Sequence, residues 1–222
     1  MFPGNFRFRG GKENFRVATA SRKYPLQVED VTFFVNPYAL SQVSPVFEVM
    51  ALDQGFVENK NLKACIEEES PEDIEIFLEA ICPTYYGVYP DTVKEETFPI
   101  LARLADKFLV DGLRCGCEEF ILRCRLNKQS PNSLLRMLIT CCSFNLKDRL
   151  KKLLLKHLLK VKDQNVVIDE DLKQHPIGEL VCHELTGAAQ DALQHCAHVV
   201  LIRYARKASI LALITFTQKS KN

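Results

Sequence analysis

The chain has 222 residues, 47% hydrophobic and 26% charged, with a formal net charge of +1. That length holds one domain of ordinary size plus extensions, and a chain so balanced in charge is not obviously built for nucleic acid, where a strongly basic face would be expected. Nine cysteines, an odd number, fit a disulfide framework poorly; they read as small buried hydrophobes of a reducing compartment, the cytoplasm or nucleus. No apolar run follows Met1 and no stretch of about 18 apolar residues occurs, so neither a signal peptide nor a membrane-spanning helix is expected.

Residues 1–27 read as a disordered basic arm. Arg7, Arg9, Lys12, Arg16, Arg22 and Lys23 face a single acid, Glu13, and the aromatics among them follow no period. A basic arm that touches an acidic partner is the sharper alternative. Val31 to Val35 is rich in β-branched and aromatic residues and predicts a buried strand. A turn is expected at Asn36-Pro37, then one or two short helices over 39–52, with Pro45 starting the second. Leu62, Ala64 and Ile66 alternate with Lys63, Cys65 and Glu67, the pattern of a half-buried strand.

The clearest helix follows. Ser70 caps it, Pro71 takes the first helical position, and Glu72 and Asp73 suit the positive end of its dipole. Ile74, Phe77, Leu78 and Ile81 form one apolar stripe, and Pro83 and Gly87 end it. Leu101, Leu104, Ala105 and Phe108 line a second helix face, with a turn at Asp111-Gly112. Leu113, Cys117, Phe120, Ile121 and Cys124 line a third. Ser130-Pro131 starts a fourth, buried through Leu134, Leu135, Leu138, Ile139 and Cys142, and Leu146, Leu150, Leu153, Leu154 and Leu158 line a fifth.

The order predicts an α+β fold: a small sheet with a helical layer over 28–125, then an all-helical extension over 126–162. Residues 163–222 form a tail of uncertain structure. Its apolar pieces, Ala197–Ile202 and Ile210–Phe216, fit a helix packed on the domain, with a membrane-surface helix as the alternative.

Several strings resemble one family in both order and spacing. Asp30-Val31-Thr32-Phe33-Phe34-Val35 resembles the opening strand of BTB/POZ domains. Ala39-Leu40-Ser41 with Ser44-Pro45-Val46-Phe47 is similar to the family's helix pair, and Leu62–Ile66 with Ser70–Leu78 to its next strand and helix. Leu104–Val110 and Leu113–Ile121 are similar to its L-A-D-x-F segment.

The resemblance implies a domain that dimerises and recruits partners, in many members as a substrate adaptor of cullin-3-based ubiquitin ligases. Such adaptors carry an apolar–x–Glu motif after the second helix, matched here by Phe56-Val57-Glu58. By the same resemblance, further cullin contacts would come from Val46, Phe47 and Met50 and from the region of Tyr85 and Tyr86. Residues 126–162 are similar to the helical extension that makes a second cullin contact, and Lys147, Arg149, Lys151, Lys152, Lys156, Lys160 and Lys162 give it a basic face. Against the family pattern the first hairpin reads as shortened. The returning strand after Val35 is missing, which would leave Phe33 and Phe34 at an open edge.

No Gly-rich phosphate loop and no G-x-S-x-G elbow occurs. Cys115-Gly116-Cys117 and Cys141-Cys142 fall within helical patterns and read as core or near-core residues. Cys182-His183 and His195-Cys196-Ala197-His198 pair too loosely for a zinc site. The expectation is a binding protein without catalytic, cofactor or metal residues: a substrate-recognition adaptor of a cullin-3-type ligase. Its partners would be the cullin-3-type scaffold, a second copy in a homodimer and an unnamed substrate protein, with no nucleic acid and no membrane. The alternative is a self-associating scaffold or transcription-linked oligomerisation domain.

Overall fold

A computed structural model describes residues 14–52, 64–81, 93–160 and 168–179. The chain divides into two compact units, after Leu122.

The first unit opens with a hairpin. Strands β1 (Tyr24–Val28) and β2 (Val31–Val35) pair antiparallel, with Tyr24 opposite Val35 and Val28 opposite Val31. Glu29 and Asp30 make the two-residue turn, and Glu29 takes a left-handed φ of 50°. The Gln27 side chain steadies the turn, donating to the Glu29 carbonyl at 2.7 Å and accepting from Thr32 Oγ at 2.8 Å. Strand β3 (Ala64–Ile66) lies parallel to β1, giving the order β2-β1-β3.

Two expectations are corrected by this hairpin. The disordered arm over 1–27 contains the central strand of the sheet, and the strand at 31–35 is the second of the hairpin, so the returning strand precedes it. Pro25 argues against a central strand, because proline cannot donate to a ladder. Here Phe34, opposite Pro25, turns its N–H away from β1 and donates to the Phe15 carbonyl at 2.6 Å. By the alternation of antiparallel pairs, position 25 makes no bond to β2. On the other side β1 pairs with β3 from Leu26 onward among the described residues.

The segment before β1 is docked onto the same edge. Phe15 is fully buried, and the Arg22 guanidinium lies 4.9 Å from its ring centroid. Arg16 reaches over the Phe33 ring and pairs with Glu75 at 2.8 Å. The edge beside Phe34 is thus partly covered.

Helices α1 (Pro37–Ser41) and α2 (Pro45–Leu52) connect β2 to β3. The expected turn at Asn36-Pro37 is the start of α1: the Asn36 side chain accepts from the Tyr38 and Ala39 amides, and Pro37 is the first helical residue. Helix α3 (Pro71–Ile81) starts as its caps predict, with Ser70 Oγ accepting from Asp73 N at 3.1 Å, and buries Ile74, Phe77, Leu78 and Ile81. Helices α4 (Phe98–Lys107) and α5 (Asp111–Arg123) follow. Their turn falls at Phe108–Val110, because Leu109 adopts a φ of 53°; Asp111 and Gly112 belong to the first turn of α5. Phe98 and Phe120 tie the two helices at a centroid distance of 5.5 Å.

The second unit holds a 3-10 turn (Leu126–Lys128) and helices α6 (Pro131–Ser143), α7 (Asp148–Leu159) and α8 (Glu170–Lys173). Ser130 caps α6, accepting from Ser133 N at 3.1 Å. Its buried face is Leu134, Leu135, Met137, Leu138 and Cys141, rotated from the expected stripe so that Ile139 and Cys142 are half-buried. Leu150, Leu154 and Leu158 of α7 are fully buried. Asn132 clasps Asp169, the cap of α8, through two hydrogen bonds of 2.8 and 3.2 Å. Among the described residues no helix is long and apolar enough to cross a membrane.

Candidate protein-docking site

Helix α2 lies at the surface of the first unit, and its position is fixed from below. Ser44, 1% exposed, accepts from the Phe47 amide at 3.2 Å and donates its hydroxyl proton to the Phe108 carbonyl at 2.5 Å. One side chain thereby caps α2 and ties it to the end of α4. Phe47 then enters a three-ring cluster, 4.9 Å from Phe108 and 6.3 Å from Phe77, while Phe77 and Phe108 lie 5.3 Å apart. Each such pair contributes about 0.5–1.5 kcal/mol beyond its burial.

With Phe47 turned inward, the outer side of α2 and the flank leading to it are set. Val46 and Met50 are half-buried and Val49 is 38% exposed, with Pro45 and Glu48 exposed beside them. Val46, Val49 and Met50 stand at i, i+3 and i+4, so they make one continuous apolar strip. Next to it is a shallow cleft of about 410 Å³, lined by Ser41, Val43, Pro45, Glu48, Leu109 and Asp111. Leu109, 55% exposed, stands at its edge in the left-handed conformation. An apolar strip flanked by carboxylates and a cleft can bury a partner's apolar anchor and receive a donor beside it.

The predicted site residues divide accordingly. Val46 and Met50 lie on the outward strip. Phe47 is corrected: at 2% exposed its ring belongs to the core and offers no surface to a partner. Phe56, Val57, Glu58, Tyr85 and Tyr86 lie outside the described residues. The sequence reading missed Val49 and Leu109. Val49 was accessible to it, since assigning Phe47 to the core turns position 49, about 160° away, outward, while 46 and 50 fall on the flank between them. Leu109 carried no such signal, because a leucine in a left-handed turn breaks the usual glycine preference.

The cysteines divide similarly. Cys117 is fully buried, and burial together with the Glu118 charge pushes its thiol up to about 12. Cys115, expected near the core, is exposed, as is Cys65 on β3. No group of His, Cys, Asp and Glu among the described residues is arranged to hold a metal ion.

A small mixed sheet with a helical layer, presenting an apolar helix face, defines the first unit as a protein-interaction module. Residues 24–125 match the BTB/POZ domain family model, a range that begins with the first residue of β1 and ends just beyond α5. That part of the chain is a BTB/POZ domain. The chain is also similar to Cytokinesis defective protein 7 of Caenorhabditis elegans, with 29% identity over 116 residues, 51% of this chain and 40% of that protein. It thus spans about two fifths of the length of the curated relative it matches.

Proposed function

We propose that the chain is a substrate-recognition adaptor of a cullin-3-type ubiquitin ligase, and that the outward face of α2 receives the cullin. The observation that carries this reading is the strip of Val46, Val49 and Met50 on a helix whose other side is locked by Ser44 and Phe47. A rigid apolar face is the kind of surface on which a few anchors supply most of the binding energy. Phe56-Val57-Glu58, a few residues beyond α2 in the chain, supports it as an apolar–x–Glu motif in register with the adaptor pattern. A reducing compartment, cytoplasm or nucleus, suits the reading: six cysteines lie among the described residues and none is in a disulfide.

The test is a calorimetric titration of the full chain with a cullin-3 N-terminal domain. The parent is expected to bind, and Val49→Asp and Phe56→Ala are each expected to weaken binding at least tenfold. A folded parent that gives no heat of binding would overturn the adaptor reading.

A second reading, self-association without a ligase role, draws on Tyr38 of α1, which is 69% exposed. A mass that doubles with concentration, falls back in Tyr38→Asp and is indifferent to the cullin domain would favour it.

A further inference from the structure

Helix α7 carries two faces of opposite character. Leu150, Leu154 and Leu158 are fully buried in the second unit. Arg149, Lys152, Lys156 and Lys160 are exposed, and at about 100° per residue they fall within an arc of about 80° on the opposite side. Lys160 belongs to the row because the C-cap keeps helical angles, φ −72° and ψ −17°. Their spacing, i, i+3, i+7 and i+11, sets four cations along about 17 Å of helix.

Neighbouring acids make their ion pairs with other cations, although Asp148 also feels the charge of Lys152. Asp148 pairs with Lys151 at 2.9 Å, Asp169 and Asp171 approach Arg136 at 3.8 and 3.7 Å, and Glu170 pairs with Lys173 at 2.6 Å. None of the four cations in the row forms an ion pair among the described residues. Helix stability does not account for all of them either. Lys156 and Lys160 suit the negative end of the dipole, but Arg149 sits in the first turn, where the dipole opposes a positive charge.

We propose that this face docks an acidic segment of a partner protein, with carboxylates at matching helical spacing. A membrane surface fits less well, because the apolar side that would enter the lipid is already buried. Single-stranded nucleic acid fits less well too, since no Phe, Tyr or Trp lies between Arg149 and Lys160 to stack a base, and His157 is half-buried with its Nδ1 2.9 Å from the Leu153 carbonyl. The face lies on a different helix from α2, in the second unit, so loss of peptide binding here and loss of cullin binding at α2 are read separately.

The test is fluorescence anisotropy of the full chain with a labelled alanine-based peptide carrying glutamates at i, i+3, i+7 and i+11. An oligothymidylate of equal charge and phosphatidylserine vesicles serve as competing probes. The peptide is expected to bind, less tightly as salt rises from about 50 to 200 mM. The pair Lys152→Glu and Lys156→Glu should weaken it at least tenfold with unchanged helix content, and Lys152→Gln with Lys156→Gln by less. Lys173→Glu should leave it unaltered. Absence of peptide binding, equal binding by the charge-reversed pair, or tighter binding of the oligonucleotide or the vesicles would each overturn the proposal.

Discussion

Glu69 is 5% exposed and keeps its charge because two cations meet it. Arg103 bridges it to Asp73, reaching the latter at 2.6 Å, and Lys107 approaches it at 2.8 Å. Burial works against ionisation, but the hydrogen bonds and charges of Arg103 and Lys107 together outweigh it and hold the carboxyl below its usual 4.5. A carboxylate held down in the folded state stabilises the fold above its unfolded pKa, and that contribution is lost as pH falls through the folded value. Stability is therefore expected to be level above about pH 4.5 and to decline below it; Glu69→Gln should lose about 1–3 kcal/mol near neutrality and flatten the acid limb, as urea melts at several pH values would read. Cys117 gives a second residue-scale expectation. With its thiol at about 12 and its side chain buried, it should resist iodoacetamide at pH 8 while Cys65 and Cys115 react, and peptide mapping after a short pulse would distinguish them. The sequence already placed Cys117 in the core by helical phase. It did not single out Glu69, whose burial depends on cations more than thirty positions away.

At the scale of elements, α2 separates packing from recognition within one turn. Phe47→Ala should cost about 3–5 kcal/mol by emptying the three-ring cluster. Val49→Asp, on the exposed side, should stay within about 0.5 kcal/mol of the parent. Thermal melts of the two variants check the division, and equal losses would contradict it. The helices were legible because their caps and stripes are local: Ser70-Pro71 and Ser130-Pro131 start helices as they stand in the chain. Strand β1 was not, because Pro25 and the basic residues before it read as an arm, and its pairing with β3 spans nearly forty positions. The hairpin turn was hidden for a related reason. Glu29 adopts a positive φ without the glycine or asparagine that usually marks one, and Leu109 does the same between α4 and α5. Strand and turn come from tertiary pairing that outweighs local preference.

For the whole molecule, the α+β order was readable from the alternation of strand and helix periods, and the family pattern located it on the chain; residues 24–125 are the BTB/POZ domain and a helical unit follows. The candidate site was only half readable. Val46 and Met50 emerged from the pattern, Phe47 was assigned outward when its ring packs inward, and Val49 needed the helix phase that the ring cluster fixes. The central claim is that α2 presents a docking face with Val49 at its centre. Hydrogen exchange of the full chain, with and without a cullin-3 N-terminal domain, tests it most directly. The account predicts slowed exchange over residues 45–52 on adding the domain, abolished in Val49→Asp. Binding that leaves 45–52 unprotected while slowing exchange elsewhere would contradict it.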